Sequence, residues 1–180
     1  MPRIAAIDPA AATGHAKELL DAVKAKLGVV PNMTRAMVVA PAALDGYLGL
    51  SAALGRGVLP ARVREQLALG VGEANGCDYC VAAHTALGKG AGLTDAEVSA
   101  SRRGAAADPK ADALLRFARV LTERRGRVGD AEVAAARAAG ATDAELAEVV
   151  AHVALNVFTN YFNHVADPDI DFPKAPALAG

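Results

Sequence analysis

Glu65-Gln66-Leu67-Ala68-Leu69-Gly70-Val71-Gly72-Glu73-Ala74-Asn75-Gly76-Cys77-Asp78-Tyr79-Cys80-Val81-Ala82-Ala83-His84 is the stretch on which the reading of this chain turns. Val63, Leu67 and Val71 recur at helical spacing behind Pro60, which suits a first helical turn, and Asn75-Gly76 supplies a stop. A second helix is expected from about Cys77 to Leu87, closed by Gly88-Lys89-Gly90-Ala91-Gly92. Both cysteines thus fall in the first turn of a helix.

Working outward, the same punctuation continues in both directions. Leu19, Leu20, Val23 and Leu27 form one apolar face before Gly28, with charged residues between them. Pro31 and Pro41 bracket a short segment holding Met33, Met37 and Val38, and a further helix is expected over 42–54. Downstream, Thr94-Asp95-Ala96-Glu97 has the capping-box pattern, and Thr142-Asp143-Ala144-Glu145 repeats it, each after an Ala-Gly pair. The repeat admits a duplicated helical hairpin or coincidence of common capping chemistry. Asp108-Pro109 opens another helix, a short one follows Asp130, and the longest is expected from Thr142 to about Ala166. Pro168, Pro173 and Pro176 then leave an extended tail over 167–180. No region alternates long enough for a strand, and no linker separates two cores, so the expectation is one all-α bundle over 1–180.

Composition limits the function. Lys plus Arg total 19 against 20 for Asp plus Glu, so no net field would hold nucleic acid or an anionic membrane. No apolar run reaches the ~18 residues of a membrane span, and the N-terminal residues lack a secretory pattern, so a cytoplasmic location is expected. Two cysteines are too few for a disulfide scaffold, and in a reducing compartment a close pair is reactive or metal-binding before it is structural.

The unpaired N–H groups and dipole of a helix N-terminus stabilise a thiolate at Cys77 or Cys80. A thiolate attacks a peroxide oxygen, and a second thiol one turn away condenses with the sulfenic acid before it overoxidises. His84, four residues beyond Cys80 and seven beyond Cys77, shares their helix face and is suited to move protons. Redox chemistry leads this reading. Two alternatives stay open at this point: a metal site in which Cys77, Cys80 and His84 are joined by His152 or His164, and inert packing. Glu65 and Glu73, on the preceding helix, are both candidates to orient His84, although a helix glutamate is ordinarily just solvated.

Glu65, followed after twelve residues by Cys77-Asp78-Tyr79-Cys80 and then His84, resembles the motif of the AhpD-like alkylhydroperoxidase and carboxymuconolactone decarboxylase superfamily. Leu59-Pro60-Ala61-Arg62-Val63-Arg64-Glu65, Glu73-Ala74-Asn75-Gly76-Cys77 and Gly92-Leu93-Thr94 extend the resemblance over a core of about 29–101, and Phe158-Thr159-Asn160-Tyr161-Phe162-Asn163-His164 resembles one branch. The resemblance implies an AhpD-like helical bundle assembled as a homo-oligomer, a trimer or hexamer. It implies a peroxidase that reduces hydroperoxides through a Cys77–Cys80 dithiol/disulfide cycle, with no bound cofactor and no metal. It further implies a Glu65–His84 proton relay, Glu73 in support, Cys80 as the attacking cysteine, Cys77 as an exposed resolving thiol, and a small dithiol or lipoyl-protein reductant. One departure stands out: the best-known hydroperoxidases carry a histidine where this chain has Tyr79, and a phenol near pKa ~10 acts as a hydrogen-bond donor at neutral pH. Rival readings are a non-enzymatic thiol redox sensor, a metal-binding helical module, and a carboxymuconolactone decarboxylase-type lyase, whose members generally lack the cysteine pair.

His152, Asn156, Asn160 and His164 repeat every four residues on an otherwise apolar helix, which predicts a hydrogen-bonded seam within the bundle or between subunits, with lining of the active-site pocket as the alternative. Met33, Met37 and Leu69 are expected around the thiols, and apolar surface on the first helices favours self-association.

Overall fold

The structure is a computed structural model that describes residues 1–178; the last two residues of the expected tail, 179 and 180, lie outside the described residues. Among the described residues there are nine helices and no strand: α1 (Gly14–Leu27), α2 (Asn32–Met37), α3 (Pro41–Leu54), α4 (Ala61–Ala74), α5 (Asp78–Gly90), α6 (Asp95–Arg102), α7 (Pro109–Glu123), α8 (Asp130–Ala138) and α9 (Asp143–Ala166). Local chemistry sets several of these ends. Thr94 and Thr142 each accept from the backbone N–H of the glutamate three residues on, and that glutamate accepts in return from the threonine N–H. The two boxes open helices of 8 and 24 residues. Asp108 caps α7, and Gly28 ends α1 at φ +76°.

One boundary differs from the sequence reading. Helix α5 does not end at Gly88 but runs through it to Gly90. Gly88 is buried against its neighbours; a Cβ there would lie 2.9 Å from Leu93 Cδ1 and 3.7 Å from Glu65 Cβ. The glycine therefore makes room for the Leu93 side chain, which folds back on α5, rather than for a turn.

Helix α4 lies at the centre and packs on α5, α6, α7 and α9. On one side Leu67 and Val71 meet Leu114, Leu121, Val149 and Val153 from α7 and α9. On the other, residues of α1, α2 and α3 such as Leu20, Met37 and Leu44 enclose Cys77, Tyr79 and Cys80. Each fully buried leucine contributes about 1.5–3 kcal/mol of transfer free energy. The cysteines are thus part of a core. No helix among the described residues is long and apolar enough to cross a membrane.

Candidate active site

The α4–α5 corner is made by Gly76, which holds φ +66°, a conformation costly for residues with a Cβ. The corner delivers Cys77 to the N-cap of α5, where its Sγ accepts the Cys80 backbone N–H at 3.3 Å. Cys77 and Cys80 are joined as a disulfide with Cα atoms 5.3 Å apart. Cys77 is 2% exposed and Cys80 3%. This corrects the expectation of an exposed Cys77. Because the residue caps the helix, its sulfur folds back over the first turn, beneath α2 and α9, instead of pointing to solvent.

His84 and Glu65 are brought together across the α4–α5 interface, Nδ1 to Oε2 at 2.8 Å, with side chains 23% and 22% exposed. No hydrogen bond joins His84 to either sulfur in this disulfide form. Glu73, the other candidate, lies apart from His84: its Oε2 accepts from Arg102 Nε at 2.7 Å. Eight residues on a helix leave a rotation of roughly 80°, enough to turn Glu73 toward α6 while Glu65 faces α5. A cleft of about 590 Å³ lies beside Glu73 and Arg102 and is lined by none of Glu65, Cys77, Cys80 or His84.

A second cavity, of about 300 Å³, does touch the candidate chemistry: Glu65, His84, Tyr79, Tyr47, His152 and Phe172 all line it. Burial, and then the charge of Glu65, push the Tyr47 phenol above its ordinary pKa, so it stays a hydrogen-bond donor. Burial, and then Arg64, lower His152 below the ordinary histidine value, so it is neutral at neutral pH. Met33 also lines this cavity, whereas Leu69 packs with Leu93 and Val98 in a separate cluster, away from the thiols.

Tyr79, between the cysteines, accepts the Met33 N–H at 3.1 Å and donates to Asp171 Oδ1 at 2.7 Å. Burial pushes its pKa far above the ordinary value, with the Asp171 bond adding to the rise and the Met33 bond opposing it. The phenol is a donor here, as its chemistry predicts. The tail is extended but not loose: Asp171 Oδ2 accepts the Asn32 N–H at 2.8 Å, and Phe172 meets Tyr79 edge to face with centroids 5.8 Å apart.

Helix α9 supplies a residue that the sequence reading did not single out. Asn163 Nδ2 lies 3.2 Å from Cys80 Sγ, 3.8 Å from Cys77 Sγ and 3.5 Å from Met33 Sδ. The expected stripe was drawn at intervals of four, through His152, Asn156, Asn160 and His164. The first three are buried, and His164 is exposed, its Nε2 near Gly76 O at 3.3 Å. The α-helical repeat of 3.6 drifts off a strict interval of four, so the buried face continues to Asn163 instead. Asn160 Oδ1 accepts from Asn75 Nδ2 at 2.8 Å, a seam contact within one chain, while His152 and Asn156 line the second cavity. Among the described residues, no group of three or more His, Cys, Asp or Glu side chains is placed to hold a metal ion.

Residues 40–123 match the carboxymuconolactone decarboxylase family. Among curated proteins, none matches this sequence. Similar solved structures include the alkylhydroperoxidase AhpD core, a peroxidase-related protein from Ralstonia eutropha JMP134, at 23% identity and TM-score 0.85 over 94% of this chain and 92% of that one. A peroxidase-related protein from Silicibacter sp. TM1040 is 21% identical, with TM-score 0.78 over 94% of each chain. The debrominase Bmp8, in complex with 2,3,4-tribromopyrrole, is 17% identical, with TM-score 0.80 over 94% of this chain and 91% of that one. These matches show an all-α protein of AhpD-like fold, with the paired cysteines at the start of α5 inside the stretch, residues 40–123, that is similar to the carboxymuconolactone decarboxylase family.

Proposed function

We propose that the protein is a thiol-dependent peroxidase in which Cys77 and Cys80 cycle between dithiol and disulfide while Glu65 and His84 move the proton. The observation that carries this reading is the Glu65–His84 bond of 2.8 Å at a cavity beside a helix that begins with the Cys77–Cys80 pair. A dithiol, either a small molecule or a lipoyl-bearing protein, reduces the disulfide to two thiols and leaves as its own disulfide. The Cys80 thiolate attacks the terminal oxygen of the hydroperoxide, the O–O bond breaks, and Cys80 becomes a sulfenic acid. His84, hydrogen-bonded to Glu65, takes the proton of the Cys80 thiol and gives it to the departing alkoxide. Cys77 then attacks the Cys80 sulfur and expels water, which restores the disulfide.

The burial of both sulfurs supports a second reading, a slow redox switch that is oxidised once and does not turn over. Consumption of tert-butyl hydroperoxide with excess dithiothreitol separates the two. Many turnovers by the wild type, abolished in Cys80→Ser at equal protein concentration, are expected of the peroxidase. Stoichiometric oxidation without turnover gives preference to the switch.

Self-association belongs to the same proposal. Val150, Phe158, Tyr161 and Val165 form an exposed apolar stripe along α9, and a second copy of this chain is its proposed occupant, in line with the trimers or hexamers that the family resemblance implies.

A further inference from the structure

We propose that Asn163 is a catalytic residue, the side-chain donor that stabilises the Cys80 thiolate and the acceptor that receives the sulfenic acid formed from it. The role deepens the thiol chemistry proposed above and rests on it. Among the described residues, no other side chain donates a hydrogen bond to either cysteine sulfur. The Asn163 amide reaches both, and lies nearer Cys80 at 3.2 Å than Cys77 at 3.8 Å.

The two cysteines are therefore supported differently. Cys77 Sγ accepts a backbone N–H of the first turn, at 3.3 Å, as an N-cap does. The donor available to Cys80 is the Asn163 side chain. Against a disulfide sulfur this is a weak contact; against a thiolate it becomes a charge-assisted bond, roughly twice as strong as a neutral one. Charged or titratable groups in the surroundings are Tyr79 and His84 on α5, Glu65 on α4, His164 on α9 and Asp171 in the tail. Tyr79 donates to Asp171 and His84 is bonded to Glu65, so neither is committed to the sulfurs.

The other end of the amide points the same way. Asn163 is 5% exposed, and its Oδ1 is one of the buried polar atoms with no hydrogen-bond partner. A buried unpaired carbonyl is costly, and its persistence calls for an explanation. The reaction supplies one. When the Cys80 thiolate takes the terminal oxygen and its hydrogen from ROOH, the products are Cys80–S–OH and RO⁻, which becomes ROH with the His84 proton. The new O–H is a donor formed on the sulfur that the Asn163 amide approaches to 3.2 Å through Nδ2, and the oxygen of that same amide has no partner. Nδ2 thus serves the reactant and Oδ1 the product, until Cys77 displaces the hydroxyl as water.

The test is the thiolate absorbance near 240 nm followed against pH in the Cys77→Ser protein, where Cys80 titrates alone and the introduced hydroxyl keeps the N-cap. Adding Asn163→Ala, or the nearly isosteric Asn163→Asp if the alanine variant folds poorly, is expected to move the midpoint up by about 1 pH unit, with a larger shift for the charged aspartate. In Cys80→Ser, where Cys77 titrates alone, the same substitutions are expected to move the midpoint less. A Cys80 midpoint unchanged in a folded variant overturns the assignment, as does an equal shift at both cysteines. The titration uses no peroxide, so it fails independently of the peroxidase reading, which is judged by turnover in Cys80→Ser.

Discussion

Tyr79 donates its phenolic O–H to Asp171 Oδ1 over 2.7 Å, tying the C-terminal segment to the residue between the two cysteines. The same phenolic oxygen accepts the Met33 N–H, and the other Asp171 oxygen accepts the Asn32 N–H, so one carboxylate joins the tail, α2 and α5. Phe172 completes the contact by packing on the Tyr79 ring and on the cluster that contains the disulfide.

Replacing Tyr79 by Phe keeps the ring and removes both hydrogen bonds, leaving the Met33 N–H without its partner. A loss of about 1–3 kcal/mol is expected, read as a lower urea midpoint with an unchanged slope. Asp171→Ala, which frees the tail while sparing Tyr79, should speed reduction of the Cys77–Cys80 disulfide by dithiothreitol several-fold. Equal reduction rates in the two proteins would show that the tail does not limit access.

Glu65 and His84 are held by one bond, and their substitution should affect turnover far more than folding. His84→Gln is expected to lower peroxide turnover by about 10²–10⁴-fold, the range of a lost general acid. Glu65→Gln, which keeps an acceptor without the charge, should have a smaller effect in the same direction. Steady-state kinetics beside far-UV circular dichroism checks both, and full activity in His84→Gln removes the histidine from the mechanism.

Asn160 is fully buried and bonded to Asn75, so Asn160→Ala acts on the stability of the chain rather than on assembly. A loss of about 1–3 kcal/mol is expected from the cavity and the unpaired Asn75 amide. The double cycle with Asn75→Ala should show coupling of about 0.5–1.5 kcal/mol, with the oligomeric state by light scattering unchanged.

Glu145 is bonded to Lys110 and to the Thr142 N–H, and these bonds hold its carboxyl below the ordinary range, against the opposing effect of burial. A carboxylate whose folded-state pKa is depressed adds stability that is present above its unfolded pKa, near ~4.3, and lost as pH falls through the folded value. Between about pH 5 and pH 3, the difference in unfolding free energy between wild type and Glu145→Gln should therefore shrink. Urea titrations at several pH values measure it; a constant difference excludes this linkage.

Tyr161→Asp and Val165→Asp place charge on the exposed stripe of α9, where both side chains face outward. If that stripe joins copies of the chain, each variant should shift the protein toward monomer in multi-angle light scattering, with its helical content intact. An unchanged mass moves the interface elsewhere.

The amino-acid order by itself determined the helices and the pairing of the two cysteines on one turn. Thr94 and Thr142 with their glutamates, Asp108-Pro109, and Asn75-Gly76 act on backbone groups a few residues away, so helix ends are local properties that a sequence displays. The Cys77–Cys80 spacing is equally local, being one turn of one helix. What the sequence left open was every relationship between helices: Glu65 over Glu73 as partner of His84, the burial of Cys77, Leu69 facing away from the thiols, and the tail bound at Tyr79. Asn163 is the clearest case, because 83 residues separate it from Cys80 and nothing near it announces a sulfur. Such contacts are set by how α4, α5 and α9 rotate and pack against one another. That rotation is fixed by the burial of whole apolar faces, and only the tertiary structure decides it.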